Sequence, residues 1–318
     1  MHRIIKKRPS LRIIISSATI DAQAFVDFFT EDEVPGKSAA KKEIEAAIVS
    51  LEGRSFPVEI AYSEEACADY VSAAVQTVWE IHLKEPQGAI LVFLTGREEI
   101  DSCLQSLADR GLDLPPGSPT LHLLPVHAGL STEEQIAIFE PPPRGSRKCL
   151  VATNIAEASI TIDDVKYVVD CGFVKLRTFD PKTGMDALSV VPESLASANQ
   201  RAGRAGRTSA GKCFRLFPEK SLSLLPVHTP PELCRSDITM QILQLKALGI
   251  DNLARFDFMP PSPPSEMMAK GLEFLASLGA LDDYGRLTKP LGERMSELPV
   301  DPMLAKIVSE IGNYLRVR

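Results

Sequence analysis

Short apolar runs alternate with amphipathic helical patterns over the first two thirds of the chain. Residues 89–94 are apolar at every position, as in a strand that is buried on both faces of a sheet. The segments on either side, 71–79 and 97–107, repeat apolar residues at helical spacing. The other apolar runs that predict strands are 11–15, 57–61, 121–126, 148–152 and 165–169. Strands that alternate with helices in this way predict βαβ units and a parallel sheet.

The pattern changes after about Pro231. Residues 280–288 predict a small hairpin with its turn at Tyr284-Gly285. Helical patterns cover residues 238–248, 266–278 and 289–298, and a further helix starts near Pro302. The order helix, helix, hairpin, helix predicts a small winged-helix module after the α/β domain.

Composition narrows the class of protein further. The chain has 318 residues, of which 44% are hydrophobic and 24% charged, and its formal net charge is −7. A mostly disordered chain is excluded. No apolar run approaches the ~20 residues of a membrane span, and the basic N-terminus has too short an apolar stretch for a signal peptide. The six cysteines form no CxxC pair, and the histidines lack metal-ligand spacing, so we expect no metal site and a reducing compartment.

The most specific motif is QRAGRAGR at residues 200–207. Arg201, Arg204 and Arg207 are predicted to project from one side of a helical turn, and the small residues between them let a phosphate approach closely. Arginine suits phosphate because its planar group donates paired hydrogen bonds and stays charged. Between residues 194 and 218 there are five Lys or Arg and no Asp or Glu. The alternative is a solvated basic helix face.

This octet, preceded by Ser-Ala-Asn, resembles motif VI of the DEAH-box RNA helicases of superfamily two. The spliceosome-associated subgroup is the most similar. Arg97 stands where the family usually has Gln, and Ala158 stands where it usually has Thr. The other similar segments are Ser17-Ala18-Thr19 (motif III), 91–100 (motif IV), 127–140, 153–161 (motif V), 169–177, 211–217 and the tail from Pro231 (winged helix).

The resemblance implies a RecA-like parallel sheet domain followed by a small winged-helix domain. In the family, two RecA-like domains clasp ATP with Mg²⁺ between them. The implied boundaries are 1–60 for the C-terminal remnant of the first RecA-like domain, 61–231 for the second RecA-like domain, 232–300 for the winged helix and 301–318 for the start of a helical bundle.

The resemblance also implies roles for residues of the nucleotide site. Gln200, Arg204 and Arg207 would approach the γ-phosphate and the attacking water, the arginines acting as fingers that stabilise charge on the transferred phosphoryl group. Phe139 would stack on the adenine, and Asp163 would reach the ribose. The alternatives are a core phenylalanine in an amphipathic helix and a surface-loop aspartate.

Further residues would bind RNA. Thr153 and Asn154 at one strand end, with Gly96 and Arg97 after another, would hold RNA phosphates, which positions a strand without reading its sequence. The alternative for Thr153 and Asn154 is helix capping. The resemblance implies a nuclear protein whose partners are RNA and, further, spliceosomal proteins or a helicase-activating protein, with no membrane.

Two family motifs are absent from the sequence. Gly36-Lys37-Ser38 is not a P-loop, because Glu31 replaces the required glycine and no buried strand precedes it. No Asp-Glu-x-His occurs. In the family, both motifs lie before the segment that matches Ser17 and Thr19. The resemblance implies that these two residues couple the ATP state to domain closure. The Mg²⁺ ligands are therefore expected in a missing first RecA-like domain.

The sequence therefore predicts part of an ATP-dependent RNA helicase that unwinds RNA or remodels RNPs in pre-mRNA splicing. This chain on its own is predicted to be inactive. One alternative is a catalytically inactive fragment that binds RNA or a partner protein. Another is a DNA-acting relative, since nothing in the sequence reads 2′-hydroxyl groups.

Overall fold

The computed structural model describes residues 8, 10–16, 22–30, 46–50, 56–114, 118–158 and 160–316. The chain divides into two units, one formed by residues 1–53 with 254–262 and the other by residues 54–253 with 263–318. The second unit contains the residues predicted to bind the nucleotide and RNA. Within the described residues, no helix is both long enough and apolar enough to span a membrane.

The first unit contains helix α1 (Ala22–Thr30), which confirms the helix predicted at 22–29. The strand predicted at 11–15 is wrong. This segment has no regular secondary structure, and Ile14 is 92% exposed. An apolar run becomes a buried strand only beside neighbouring strands that complete its hydrogen bonds, and the described residues of this unit form no strand. Asp21, the predicted N-cap of α1, lies outside the described residues.

The second unit is built on a sheet of six parallel strands in the order β1-β8-β5-β2-β4-β3. The strands among the described residues are β1 (Val58–Tyr62), β2 (Ala89–Phe93), β3 (Thr120–Val126), β4 (Ser146–Ala152), β5 (Val165–Asp170), β6 (Phe173–Asp180), β7 (Met185–Pro192) and β8 (Gly211–Arg215). The predicted parallel α/β sheet is confirmed. Strand β1 spans the predicted domain boundary at residue 60.

Helices cover both faces of the sheet. Strand β2 is buried throughout, with Ile90 and Val92 in the core on one face and Leu91 and Phe93 in the core on the other. The helices are α2 (Tyr70–Lys84), α3 (Arg97–Gly111), α4 (Thr132–Ala137), α5 (Ile155–Ala158) and α6 (Leu195–Ala202). Helices α2 and α3 pack on the first face, and α5 and α6 contribute to the core on the second.

Strands β6 and β7 form a separate antiparallel hairpin that the sequence analysis missed. Its turn is stabilised by Asp180, whose carboxylate accepts hydrogen bonds from the Lys182 amide and the Thr183 hydroxyl, and by Gly184 at a φ of 70°. The Pro-Lys-Thr-Gly segment is a turn signal that could have identified the hairpin.

The C-terminal part of this unit has the predicted order of helix, helix, hairpin, helix. Its helices are α7 (Thr239–Ala247), α8 (Ser265–Ser277), α9 (Leu291–Glu297) and α10 (Pro302–Arg316). Gly249 and Gly279 have positive φ just after α7 and α8, and Leu281 bridges Leu287 in the small hairpin. The core of this part combines residues from α7, α8, α9 and α10.

We expect Gly292→Ala to destabilise the protein by about 1–3 kcal/mol, because a Cβ on Gly292 would overlap the carbonyl oxygen of Ala280 in a packed core. Gly111→Ala is the matched control, since nothing lies within 4 Å of the added methyl group. Denaturant unfolding of the two variants measures the difference. Equal stability of G292A and G111A would contradict the packing described here.

Candidate nucleotide face and strand-end edge

The Arg201 guanidinium is buried and held by three carboxylates. Its Nε lies 2.7 Å from Glu157 Oε1, and its Nη1 lies 2.7 Å from Asp170 Oδ1 and 3.0 Å from Glu193 Oε2. Nη1 and Nη2 each also donate to the carbonyl of Phe173 at 3.2 Å. Arg201 therefore joins helix α6 to helix α5, to the end of β5, to β6 of the hairpin and to Glu193, which directly follows β7.

The prediction that Arg201, Arg204 and Arg207 share one side of a helical turn is wrong. Helix α6 ends at Ala202, so the three arginines do not continue on one helical face. Arg201 points into the interior, Arg204 is largely buried, and only Arg207 is exposed. The exposed positive charge is therefore smaller than the five Lys and Arg of residues 194–218 indicate.

Two buried carboxyl groups face the one guanidinium. Burial raises the pKa of Glu193 well above its ordinary value of 4.5, and the neighbouring Asp170 raises it further, while Arg201 lowers it. Burial and Asp170 thus favour the protonated form of the Glu193 carboxyl group.

Arg204 and Arg207 both contact the loop that precedes β5. Arg204 Nη1 donates to the carbonyl of Ile160 at 3.0 Å, and Arg207 Nη1 donates to Thr161 Oγ1 at 2.9 Å. Burial, and next the positive charge of Arg207, lower the pKa of Arg204 to about 10. Among the described residues, each guanidinium donates one hydrogen bond out of its five N–H groups. Two cations with spare donors suit a polyphosphate.

Two further residues predicted for the nucleotide site, Phe139 and Asp163, are exposed. Phe139 follows α4 and is 61% exposed, so it is not the core phenylalanine of the alternative interpretation. Asp163 is exposed just after Thr161. Gln200 is half-buried on α6, one turn before Arg204. We call Phe139, Asp163, Gln200, Arg204 and Arg207 the nucleotide face.

Lys148 on β4 holds the backbone on either side of Phe139 and was missed by the sequence analysis. Its Nζ donates to the carbonyls of Ile138 and Glu140, which flank Phe139. Burial lowers the pKa of Lys148, whereas the charges of Asp163 and Glu140 raise it. No motif identifies this residue. The role of a lysine in a buried strand can be recognised only when the groups that accept its hydrogen bonds are known.

The predicted RNA-binding residues meet at the carboxyl ends of β2 and β4. These strands are parallel neighbours, so the residues that follow them share one edge of the sheet. Gly96 is the N-cap of α3 and Arg97 is exposed beside Asp101, at 3.5 Å. The carbonyls of Thr153 and Asn154 accept hydrogen bonds from the first turn of α5, so backbone capping is present here too. We call Gly96, Arg97, Thr153 and Asn154 the strand-end edge.

Lys175 adds a positive charge to the strand-end edge. It is exposed on β6, and its Nζ lies 3.6 Å from the position that a Cβ on Gly96 would occupy. Its only sequence signal is a basic residue in the family-like segment 169–177. Ser17 and Thr19 lie outside the described residues, so their coupling role stays a prediction. Among the described residues, no three His, Cys, Asp or Glu side chains are grouped to hold a metal ion.

A parallel sheet with a nucleotide face, a strand-end edge and a following winged helix defines a RecA-like helicase domain. Residues 73–209 match the helicase conserved C-terminal domain, and residues 271–300 match the helicase-associated (HA2) winged helix. This chain contains the C-terminal RecA-like domain and the HA2 winged helix found in DEAH/RHA helicases. The predicted family and fold class are confirmed.

Similar proteins support this assignment. The chain is 48% identical over 318 residues to the probable ATP-dependent RNA helicase DHX35 of Homo sapiens, covering 99% of this chain and 44% of that protein. It is 48% identical over 305 residues to the pre-mRNA-splicing factor ATP-dependent RNA helicase prp22 of Schizosaccharomyces pombe, covering 96% and 25%. The E. coli DExH-box NTPase HrpB superposes with a TM-score of 0.79 at 32% identity, over 96% of this chain and 35% of that one. The chain thus spans less than half the length of the curated relatives it matches.

We expect the wild-type protein to lose stability as pH rises, and we expect Glu193→Gln to remove this loss. Between the ordinary and the raised pKa of Glu193, the folded protein holds a proton that the unfolded chain has lost, so the free energy of unfolding decreases as pH rises. Glutamine has the shape of the protonated carboxyl group and does not titrate. Unfolding in denaturant from pH 5 to pH 9 should show E193Q gaining stability relative to wild type as pH increases.

Two further variants serve as comparisons for E193Q. Glu64→Gln, at an exposed position, should run parallel to wild type at every pH. Arg201→Ala should lower the free energy of unfolding by about 3–5 kcal/mol, because it leaves Asp170 buried without its cation. A constant difference between E193Q and wild type over this pH range would show that Glu193 is ionised in the folded protein.

Proposed function

We propose that this chain is the ATP- and RNA-responsive second RecA-like domain, with its winged helix, of an ATP-dependent RNA helicase that acts in pre-mRNA splicing. The observation that carries the proposal is the interlocking of motifs V and VI. Arg204 and Arg207 of motif VI hold Ile160 and Thr161 of motif V, while Arg201 of motif VI pairs with Glu157 of motif V. Nucleotide and RNA residues therefore sit on one connected framework.

The nucleotide face has the chemistry to bind ATP. Arg204, Arg207 and Gln200 would approach the γ-phosphate, and spare guanidinium donors would stabilise charge that spreads over the transferred phosphoryl group. The exposed Phe139 ring offers a stacking surface for adenine, and Asp163 offers an acceptor to the ribose hydroxyls. Mg²⁺, when bound with ATP, supplies further charge neutralisation through ligands expected in the first RecA-like domain.

The strand-end edge has the chemistry to bind an RNA backbone. Hydroxyl, amide and backbone N–H groups of Gly96, Thr153 and Asn154 can donate to phosphate oxygens, and Arg97 and Lys175 supply positive charge. Such contacts hold a strand without reading its sequence. RNA rather than DNA is proposed because DHX35 and prp22 are named RNA helicases.

A structural path leads from the strand-end edge to the nucleotide face. Helix α5 begins directly after Asn154 and carries Glu157, which binds Arg201. Arg201 lies on α6, just before the turn that holds Arg204 and Arg207. A shift of the strand end on binding RNA would therefore change the position of the arginine fingers. We infer that this is how RNA and ATP influence each other within this domain.

The remaining proposals rest on the similarity to the pre-mRNA-splicing factor prp22. We propose a nuclear location, and spliceosomal proteins or an activating protein as partners. The alternative function is a catalytically inactive module that binds RNA or a partner protein. It is favoured for the isolated chain by the lack of a P-loop sequence.

RNA-stimulated ATPase activity distinguishes these possibilities. We expect the purified 318-residue chain to show no turnover above background, and a full-length helicase carrying these residues to hydrolyse ATP. In the full-length protein, Arg204→Ala or Arg207→Ala should lower kcat on the order of 10²–10³-fold, because a charge-stabilising donor is lost. Arg144→Ala, in an exposed loop, should leave kcat unchanged.

Two results would count against this assignment. Unchanged turnover in R204A and R207A would show that these arginines are not fingers. Turnover by the 318-residue chain that disappears in its R204A variant would show that another segment of this chain binds the phosphates, and that the isolated chain is itself an enzyme.

Binding of a fluorescein-labelled oligo(U) RNA to the 318-residue chain tests the strand-end edge. Lys175→Ala should weaken binding and reduce the slope of log Kd against log salt by about 0.7, the value for one phosphate contact with a single strand. Asn154→Ala should weaken binding with little change in slope, because it removes an uncharged contact. Lys220→Ala, exposed and distant in sequence from this edge, is the control. K175A binding with the slope of wild type would remove Lys175 from the interface.

A further inference from the structure

Lys148 is a buried ammonium group for which the proposed chemistry has no direct use. It lies on β4, is 7% exposed, and its Nζ donates to the carbonyls of Ile138 and Glu140. Those two carbonyls belong to the residues on either side of Phe139. A lysine ammonium has three donors, and two of them are thus committed to the backbone that presents one exposed ring.

Burial of this charge is costly, so the surrounding acceptors and anions are essential to it. The charges that favour the ammonium form are those of Asp163 and Glu140. Asp163 belongs to the loop that Arg204 and Arg207 contact, whereas Ile138 and Glu140 follow α4. The direct contacts of Lys148 are therefore with the backbone after α4, and Asp163 adds a favourable charge.

The result is an exposed aromatic ring on a fixed backbone. Ile138 is 1% exposed while its neighbour Phe139 is 61% exposed, and the amide of Phe139 donates to the carbonyl of Ile136 at 3.0 Å. A stacking surface that is already ordered loses less conformational entropy when a ligand binds. Without Lys148, the two flanking carbonyls would lose their buried donor and the ring its fixed placement.

We propose that Lys148 is a positioning residue for nucleoside recognition, which holds the backbone on either side of Phe139 so that the exposed ring can bind the base. This inference rests on the proposed nucleotide face. Lys148 touches neither the phosphates nor RNA in this assignment. Its loss should therefore weaken recognition of the nucleoside and leave phosphoryl transfer intact.

The test is a steady-state ATPase measurement on a full-length helicase carrying these residues, at saturating RNA. Lys148→Met removes the donors and the charge while keeping an unbranched chain. We expect its KM for ATP to rise about fivefold to tenfold, from the loss of one or two hydrogen bonds that order the site, with kcat changed less than about twofold. Lys220→Met, exposed outside the nucleotide face, should change neither value.

Inorganic triphosphate provides the decisive second measurement, because it has neither base nor ribose. As a competitive inhibitor it should bind K148M and wild type equally well. Equal weakening of ATP and inorganic triphosphate would show general damage to the site and overturn the proposal, as would an unchanged KM for ATP. If K148M does not fold, Lys148→Gln, which is neutral but still polar, replaces it with the same expected rise in KM and the same contrary outcomes.

Phe139→Ala, measured in parallel, separates the failure of this inference from failure of the proposed function. A raised KM in F139A with a wild-type KM in K148M would overturn the role of Lys148 alone. A wild-type KM in both variants would show that Phe139 does not bind the base, and both the proposed nucleotide face and the inference would then be wrong.

Discussion

The buried Arg201 guanidinium is the interaction on which the candidate site depends. The guanidinium is 0% exposed, and its carboxyl partners come from helix α5, from strand β5 and from Glu193, which directly follows β7. Each of these partners needs Arg201 in turn, because an unpaired buried carboxylate is strongly destabilising. The arrangement is mutual, so the relative positions of motif V, motif VI and the hairpin are determined by one set of charges.

The parallel sheet determines where the other functional groups can be. Because β2 and β4 run side by side in the same direction, the residues that follow them emerge at the same edge. Helices α5 and α6 cover one face of the sheet, and the turn after α6 carries Arg204 and Arg207 onto the loop before β5. The edge thus collects donors suited to a phosphate backbone, and the face collects cations and an exposed ring. Neither grouping requires the residues to be close in sequence.

Much of this fold could be predicted from the sequence, because its main signals are local. The fully apolar β2 and the helical spacing of α2, α3 and α8 are properties of short segments. The direction in which a side chain points, by contrast, depends on partners that are distant in sequence. Arg201 was predicted to lie beside Arg204 because their spacing is helical, but the helix ends between them and the carboxylates that attract Arg201 come from Glu157, Asp170 and Glu193. Lys148 was missed for the same reason, since its acceptors follow α4. The run 11–15 has strand composition, yet a strand forms only beside a neighbour, which its own residues cannot supply.

The raised pKa of Glu193 bears on the charge balance of the network. An ionised Glu193 would add a negative charge beside Asp170 in a region with little water, and this proximity is one cause of the raised pKa. The protonated form avoids that charge, and Arg201 can remain directed toward Glu157, three residues after Asn154 of the strand-end edge. The ion pair between Arg201 and Glu157 therefore depends on the charge balance around Arg201 as well as on its own geometry.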